Sequence, residues 1–315
     1  MKESPTSCWI VTEGMAGTEN QCLGIAEALG VTPVIKRVKL KAPWAQLSPW
    51  LRYGHDRALA EGSADIAPPW PDLVLASGRK SIGIALHIKK MSGGKTFIAQ
   101  IQDPRISPKN FDLVAVPQHD PSRGDNVVVT VGAPNRITPD KLAAAAVEWR
   151  DKLAYLPQPR VAVLIGGSSK AHRMTKDTTL RLADNLLKLQ GGLMITASRR
   201  TGEENTRILR DRLDAPHVFF WDGAGDNPYF GFLALADYII VTEDSVSMTT
   251  EALTTGKPVY TVALEGGARR LDLFHKALQQ QGYTRPFEGL LEKWAYTPPC
   301  EAQRVAEAIR HKMAL

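Results

Sequence analysis

Small and hydroxyl-bearing residues follow an apolar stretch in the second half of the chain, where they could bind a phosphate. Gly166, Gly167, Ser168 and Ser169 come directly after VAVLI, which is typical of a buried strand. Backbone N–H groups and hydroxyls at the carboxyl end of a strand suit a phosphate, but Gly and Ser are also common at tight strand exits for conformational reasons alone. The loop has neither a GxxxxGK[ST] nor a GxGxxG sequence, so neither a Walker-type NTPase nor a standard dinucleotide site is indicated.

A second polar group lies in TEDSVSMTTEALTTGKP, where a predicted strand is followed by a predicted helix. Asp244, Ser245 and Ser247 stand at the start of this helix, whose N–H groups and dipole favour a diphosphate. Glu251, one to two turns later, is expected to accept hydrogen bonds from sugar hydroxyls. The alternative is that Ser245 only caps the helix and that Glu251 is a solvated helix residue.

A third loop, ASRRTGEEN, places Ser198, Arg199 and Arg200 after another apolar stretch. Arginine pairs bidentately with phosphates, so three loops at one edge of a sheet would supply donors to a single anionic ligand. No metal ion is expected, because EDS at 243–245 is not a convincing metal motif. Helix dipoles and arginine can stabilise a departing diphosphate in place of a cation.

The first half carries polar residues after its own predicted strands, which we expect to face the other side of a cleft between the halves. In chain order these are Glu13, Gly14 and Gly17, then Gly78 and Arg79, then Asp103 and Arg105, and last His119 with Asp120. If the chain transfers a group to a hydroxyl, it needs a base near that hydroxyl, and His119 or Asp120 has suitable chemistry, with Glu13 the next candidate. The alternative is that His119 and Asp120 are ordinary surface loop residues.

The elements that position these residues alternate between strands and helices in both halves, which favours two α/β, doubly wound, Rossmann-like domains facing each other across a cleft. In the first half, strands are predicted at 8–11, 34–38, 73–76, 96–101, 113–116 and 127–131, with helices at 18–29, 81–91 and 139–155. In the second half, strands are predicted at 161–165, 193–196, 218–220, 238–241 and 258–262, with helices at 176–189, 203–213, 230–236, 246–255, 271–281 and 300–313. Thr18 and Gln21 have the spacing of a capping box, and Gly30 is expected to end that helix.

A domain boundary is predicted at LPQPR, because its two prolines favour an extended connection. The domains would be 1–156, on the acceptor side, and 157–315, on the nucleotide-sugar side. The last helix is expected to pack wherever a groove is free, including on the first domain.

Composition agrees with an ordinary globular protein of two domains: 315 residues, 43% of them hydrophobic and 23% charged. There are 39 Lys and Arg against 33 Asp and Glu, a net charge of +6 that favours anionic partners without choosing among them. Cys8, Cys22 and Cys300 form no metal-binding spacing or disulfide framework. The beginning of the chain does not read as a signal peptide and no apolar run is long enough to span a membrane, so a cytoplasmic protein is expected.

Basic residues and tryptophans alternate in KRVKLKAPWAQLSPWLRYGHDR, which contains Lys36, Arg37, Lys39, Lys41 and Arg52 with Trp44 and Trp50. Such a segment can dock on an anionic membrane surface and would suit a lipid-linked acceptor at the inner membrane. The alternative is that the tryptophans pack under a long loop. Nucleic acid is not expected as a partner, since no nucleic-acid-binding motif accompanies the charge.

Four stretches, GMAGTENQCLGIAEALG, FIAQIQDPR, FDLVAVPQHD and VTEDSVSMTTEALTTGKPVY, together resemble the family named for the plant mitochondrial fission (elongated mitochondria) factor. The stretch SVSMTTEALTTGKPVY also resembles the nucleotide-binding helix of the lipid-linked N-acetylglucosaminyltransferase of peptidoglycan synthesis. These resemblances imply a GT-B-like fold. They place residues 166–169 at a diphosphate, Ser245, Ser247 and Met248 at the phosphate or sugar side, and Glu251 at the ribose.

The expected function is therefore binding of a nucleoside diphosphate sugar as the donor of a GT-B-type glycosyltransferase that requires no cofactor. Bacterial members of the resembled family have been loosely labelled nucleoside-diphosphate-sugar epimerases, and epimerisation through elimination of the diphosphate would use much of the same site. A non-catalytic adaptor that keeps the fold to bind a protein partner or a membrane is the alternative from a different class.

Overall fold

The computed structural model describes residues 5–51, 54–221 and 223–314, so Arg52 of the basic segment lies outside the described residues. The strands are β1 Cys8–Thr12, β2 Val34–Arg37, β3 Leu73–Ser77, β4 Phe97–Ile101, β5 Leu113–Pro117, β6 Val127–Thr130, β7 Arg160–Ile165, β8 His172–Arg173, β9 Gly192–Ala197, β10 Val218–Trp221, β11 Tyr238–Thr242, β12 Val259–Val262, β13 Glu265–Gly266 and β14 Thr284–Pro286. The helices are α1 Ala16–Leu29, α2 Trp44–Leu47, α3 Ser81–Met91, α4 Pro139–Arg150, α5 Lys176–Leu186, α6 Glu203–Arg212, α7 Tyr229–Leu235, α8 Val246–Thr254, α9 Arg269–Gln280 and α10 Glu301–Met313, with 3-10 turns at His55–Arg57 and Pro108–Asn110.

The chain divides into two compact units. The first contains the described residues up to Arg136 together with those from Cys300 onward, and the second spans Ile137–Pro299. This division differs from the boundary expected at 156/157, because α4 packs on α7 within the second unit and α10 packs on α1 within the first. No helix in the described ranges is long and apolar enough to cross a membrane.

The first unit is built on a six-stranded sheet in the order β2-β1-β3-β4-β5-β6, with every neighbouring pair parallel. Alternate residues of a strand point to opposite faces, and the strands β1, β3 and β5 are buried on both faces. Ile10 packs with Cys22 and Ile25 of α1 and with Val305 of α10, whereas Val11 packs with the isoleucines of α3. Burial on two faces explains why β1, β3 and β5 are mainly apolar in the sequence, whereas the edge strand β2, VIKR, is more exposed.

The second unit contains a six-stranded parallel sheet in the order β10-β9-β7-β11-β12-β14. Renumbered within the unit, this is the order 3-2-1-4-5-6 of the Rossmann fold, whose topological switch point lies between the first and fourth strands, here β7 and β11. In the first unit, the strand order reverses between β1 and β3. The predicted α/β class with two doubly wound parallel sheets is confirmed.

The start of α1 differs from the prediction. Met15 is the N-cap residue and no side chain accepts a hydrogen bond there, so the predicted capping box of Thr18 and Gln21 is wrong. The Thr18 hydroxyl instead donates to the Met15 carbonyl at 2.9 Å. Gly30 does end the helix, with a left-handed φ of 74°.

Candidate functional site

The loop after β7 is held against the two neighbouring loops by close backbone approach. A Cβ atom on Gly166 would lie 2.2 Å from a carboxylate oxygen of Asp244, and one on Gly167 would lie 2.2 Å from the Arg200 carbonyl. Gly167 also has a φ of 134°, which L side chains rarely adopt. Both glycines are therefore required by the packing of the loop.

Most N–H groups of this loop already have acceptors within the second unit. The N–H of Gly166 donates to the Thr242 hydroxyl at 2.8 Å, that of Ser168 to the Arg200 carbonyl and that of Ser169 to the His172 carbonyl, each at 2.8 Å. Backbone N–H groups were expected to bind a phosphate here, and these three are engaged elsewhere in this conformation. The Ser168 and Ser169 hydroxyl oxygens accept hydrogen bonds from backbone N–H groups at 3.1 Å, which leaves their hydroxyl protons to donate outward.

The loop after β9 is bonded to the loop after β7. The Ser198 hydroxyl donates to the Gly166 carbonyl at 2.5 Å and accepts from the Arg200 N–H at 3.1 Å. The Arg200 guanidinium lies 2.8 Å from a buried Asp244 carboxylate oxygen, while 43% of the Arg200 side chain is exposed. Arg199 is exposed, so both guanidinium groups of this loop reach solvent.

The turn after β11 leads into α8 and has a capped but accessible helix N-terminus. Ser245 is the N-cap residue, and its hydroxyl accepts from the Met248 N–H at 3.3 Å. Capping by Ser245, which was one of the two interpretations of this residue, is thus present. Ser247 and Met248 are half-buried in the first turn of α8, and N–H groups at such a position point out of the helix end. Asp244 is fixed by the Thr242 hydroxyl, which donates to its carboxylate at 2.6 Å.

The structure brings these three loops together as predicted. They follow β9, β7 and β11, which are adjacent parallel strands, and direct contacts join Ser198 to Gly166, Arg200 to Ser168 and Arg200 to Asp244. The group lies at the switch point of the sheet, where ligands of open α/β folds bind. Binding of a diphosphate by these residues stays a prediction.

Glu251 of α8 is half-buried rather than fully solvated. Its carboxylate accepts a hydrogen bond from the Tyr229 hydroxyl of α7 at 2.5 Å. Burial raises the pKa of Glu251 to about 7, against a smaller lowering by the Tyr229 hydrogen bond. The same burial, with the charge of Glu251, raises the pKa of Tyr229 well above its usual value. A carboxyl group whose pKa is close to 7 is present in both its protonated and its charged form at pH 7. It is therefore suited to exchange a proton or to accept hydroxyl donors.

In the first unit, Glu13 and Gly78 meet at the switch point between β1 and β3. Glu13 accepts the Lys80 N–H at 3.0 Å and pairs with the Lys80 ammonium at 3.2 Å. A Cβ on Gly78 would lie 3.1 Å from a Glu13 carboxylate oxygen. Gly14 has a φ of 83° and lies against the Arg37 side chain, and Gly17 is exposed in the first turn of α1.

Arg79 is bonded within the first unit rather than left open. Its guanidinium donates to the carbonyls of Ala45, Gln46 and Ser48, the last at 2.7 Å. It therefore fixes the backbone of the short helix α2. Arg79, which is predicted to face the acceptor of the sugar, therefore also has a structural role.

The loops after β4 and β5 form an open concavity of about 400 Å³ lined by Asp103, Arg105, Ile106, Ser107, Pro121 and Ser122. Asp103 joins the two loops, since its carboxylate accepts from the Arg105 N–H at 3.0 Å and from the Ser122 hydroxyl at 2.9 Å. Gln102 and Arg105 have φ angles of 80° and 57°, which is uncommon for residues other than glycine and marks a constrained segment.

His119 and Asp120 are not surface loop residues. Only 8% of the His119 side chain and 4% of the Asp120 side chain are exposed, and the His119 Nε2 lies 3.7 Å from an Asp120 carboxylate oxygen. The structure thus pairs the two predicted base candidates with each other. Glu13 is bonded to a different loop, that of Lys80.

Several residues of the second unit escaped the sequence prediction. Thr201 and Thr242 bond the Gly166 carbonyl and N–H, respectively. Tyr229 is the partner of Glu251, and His172 and His275 are buried beside the loops. Thr201 directly follows Arg200 and Thr242 lies two residues before Asp244 in the sequence, whereas nothing local marks Tyr229 or the histidines. Among the described residues, no group of three or more His, Cys, Asp and Glu side chains could hold a metal ion.

Comparison with solved structures agrees with the topology. MurG of Acinetobacter baumannii matches 98% of this chain and 92% of its own at 15% identity with a TM-score of 0.50. UDP-GlcNAc 2-epimerase of Neisseria meningitidis, bound to UDP-GlcNAc, matches 98% of this chain and 100% of its own at 14% identity with a TM-score of 0.52. The fold is that shared by GT-B glycosyltransferases and such epimerases.

Sequence comparison places the chain more narrowly. The chain belongs to the Mitochondrial fission ELM1 family, whose model matches residues 16–313. Mitochondrial fission protein ELM1 of Arabidopsis thaliana is 30% identical over 97% of this chain and 90% of its own length. The family resemblance seen in the sequence is confirmed.

Proposed function

We propose that the second unit binds a nucleoside diphosphate sugar and that the protein transfers its sugar to an acceptor as a glycosyltransferase. The observation that carries this proposal is the convergence of three polar loops at the switch point between β7 and β11, beside the N-terminus of α8. The Neisseria meningitidis protein of the same fold is bound to UDP-GlcNAc, which makes uridine nucleotides the first ligands to test.

The chemistry available at this edge is stabilisation of a departing diphosphate. Arg199 and Arg200 supply exposed guanidinium groups, and the N-terminus of α8 favours negative charge. Such preorganised donors stabilise the charge that develops as the sugar leaves, with no metal ion required. Glu251 would accept the ribose hydroxyls.

The acceptor would be activated by a base of the first unit. The buried pair of His119 and Asp120 is the first candidate, because it places an imidazole 3.7 Å from a carboxylate. Glu13 is the next, and Gly14, Gly17, Gly78, Arg79, Asp103 and Arg105 would shape the acceptor surface.

We expect Arg199→Ala to weaken binding of UDP about tenfold, the usual scale for one charged hydrogen bond, while leaving uridine binding unchanged. Arg199 is the better target, because Arg200 also pairs with Asp244 inside the unit. Isothermal calorimetry with UDP, GDP, ADP, CMP and their sugars measures the effect. Arg207→Ala, at an exposed position of α6, is the matched control.

Absence of binding to every nucleotide at millimolar concentration would remove the enzyme proposal and leave the non-catalytic adaptor. If a nucleotide sugar binds, NMR of the products separates the two reactions. A new sugar epimer indicates the epimerase, whereas sugar consumed only when an acceptor is added indicates the transferase.

A peripheral position at an anionic membrane is a second proposal, and the exposed apolar residues of the basic segment support it. Trp50 is 61% exposed and Leu47 49% exposed, and Lys39 and Lys41 of the same segment are also exposed. An apolar tip flanked by lysines suits the headgroup region of an anionic bilayer and a lipid-linked acceptor held there.

A further inference from the structure

Two buried histidines lie directly behind the loops of the second unit and have no part in the function proposed above. His172 is 3% exposed and His275 is 5% exposed. The Nδ1 atom of each is buried without a hydrogen-bond partner among the described residues. A buried polar atom without a hydrogen-bond partner lowers the stability of the fold, so two such atoms in one region suggest a role other than packing.

His172 is bound to the loop after β7. Its backbone N–H donates to the Ser169 hydroxyl at 3.1 Å, and its backbone carbonyl accepts the Ser169 N–H at 2.8 Å. It also begins the two-residue strand β8, which pairs with β13. These are backbone contacts, and they hold residue 172 beside Ser169, a residue predicted to meet the diphosphate.

His275 of α9 is bound to the turn before α8. Its Nε2 lies 2.8 Å from the Glu243 carbonyl, and since a carbonyl only accepts, Nε2 carries the proton. In the neutral ring, Nδ1 is therefore an acceptor. His275 supports the turn that carries Asp244 and Ser245, the second group predicted to meet the diphosphate.

The His275 imidazole interacts electrostatically with His172 and with acidic residues of the turn before α8 and of α9. Burial, with the proximity of His172, lowers the pKa of His275, opposed by Glu243 of the turn and Asp272 of α9. From β13, the Glu265 carboxylate accepts the Thr175 hydroxyl at 2.6 Å, and the Asp244 charge is paired with Arg200. The lowered pKa favours the neutral form of His275, and a further negative charge nearby would favour its protonated form.

We propose that His172 and His275 are positioning residues that couple diphosphate binding at the three loops to uptake of a proton by the imidazole pair. The inference rests on the proposed function. The negative charge of the diphosphate favours the imidazolium form, and the proton comes from the solvent and binds at a free Nδ1 atom with no bond broken. The positive charge so formed then strengthens binding of the anion. Binding of a neutral nucleoside would not be strengthened in this way.

Calorimetry with UDP-GlcNAc tests the coupling, because its diphosphate diester does not itself titrate near neutral pH. Titrations at pH 6.5 in buffers of different ionisation enthalpy give the number of protons taken up per ligand bound. We expect His172→Gln and His275→Gln each to take up about 0.3–0.5 fewer protons than the wild-type protein. Glutamine at 275 keeps an N–H that can donate to Glu243. His217→Gln, just before β10 at the opposite edge of the sheet, should match the wild-type protein.

The difference in proton uptake between the wild-type protein and a variant reports on the substituted histidine, because other titrating groups such as Glu251 are present in all of these proteins. Equal proton uptake in the wild-type protein and both variants would overturn the inference while the proposed function stands. No binding of any nucleotide by the wild-type protein would remove both.

A second measurement on the wild-type protein does not depend on folding of the variants. The Cε1–H resonances of His172 and His275 are followed by NMR from pH 5 to 8 with and without UDP-GlcNAc. We expect the midpoint of at least one to rise by about one pH unit with ligand bound. Midpoints unchanged by the ligand would overturn the inference.

Discussion

At the scale of single residues, Glu251 combines a cost to folding with a proposed role in binding. Burial raises its pKa from 4.5 to about 7, so the folded protein favours the protonated acid. The penalty is absent well below pH 4.5, grows between pH 4.5 and 7, and is complete above pH 7, where the carboxylate is charged in both the folded and unfolded chain. Retention of a destabilising carboxylate is typical of a functional position.

We expect Glu251→Gln to stabilise the protein by about 2 kcal/mol more at pH 8 than at pH 5, because the amide carries no charge and still accepts from Tyr229. Thermal unfolding at the two pH values measures this difference. Glu148→Gln, at an exposed position of α4, should show no such pH dependence. A Glu251→Gln effect equal at both pH values would mean that the carboxylate is not penalised by burial.

The same substitution separates folding from binding. We expect Glu251→Gln to weaken nucleotide-sugar binding about tenfold, since an amide has one acceptor oxygen where the carboxylate has two. A more stable protein that binds less tightly is the signature of a functional residue. Unchanged affinity for UDP would refute the ribose role.

At the scale of elements, regular buried segments were predictable and short or partner-dependent ones were not. The sequence predicts α3 at 81–91, as found, because apolar residues recur at helical spacing, as in Ile84 with Ile88 and Ile82 with Ala85. The strands β8 and β13 have two residues each, too few for any periodicity. The pairing of Tyr229 with Glu251 and of His275 with Glu243 joins residues 22 and 32 positions apart, so no local pattern could reveal it.

The basic segment around α2 contains both residues that pack against the first unit and residues that remain exposed. Trp44 is half-buried and lies against Gly54, where an added Cβ would be 3.1 Å from its ring. Lys36 lies over the Trp9 ring, 4.5 Å from its centroid. These residues pack as the loop interpretation predicts, whereas Leu47 and Trp50 remain exposed.

We expect the double variant Leu47→Ser, Trp50→Ser to reduce flotation with anionic vesicles several-fold, because these residues supply the exposed apolar tip. Replacing Lys39 and Lys41 by Glu should reduce it further at low salt, at about 1 kcal/mol for each lysine lost. Flotation with vesicles of phosphatidylglycerol and phosphatidylethanolamine measures it. Met91→Ser, another exposed apolar residue of the first unit, is the control, and indifference to all these changes would refute membrane docking.

At the scale of the whole molecule, the prolines in the sequence and the long-range packing indicate different domain boundaries. The prolines of LPQPR suggest a boundary near 156, but contacts separate at 136/137 and again at 299/300. Packing decides the division, because Trp149 of α4 is buried against Gly231 of α7, where a Cβ would lie 2.4 Å from its ring. The second unit is thus a continuous segment, whereas the first needs α10 from the far end of the chain.

We therefore expect residues 137–299 to fold alone and residues 157–299 to be much less stable, because the shorter fragment loses Trp149 and exposes α7. Loss of one buried tryptophan costs about 3–5 kcal/mol, a large part of the stability of a domain. Urea unfolding of the two fragments measures the difference. Trp149→Ala in the longer fragment should reproduce most of the loss, and Val147→Ala, at an exposed position of the same helix, should not. Equal stability of the two fragments would mean that α4 is dispensable and that the boundary lies at the prolines.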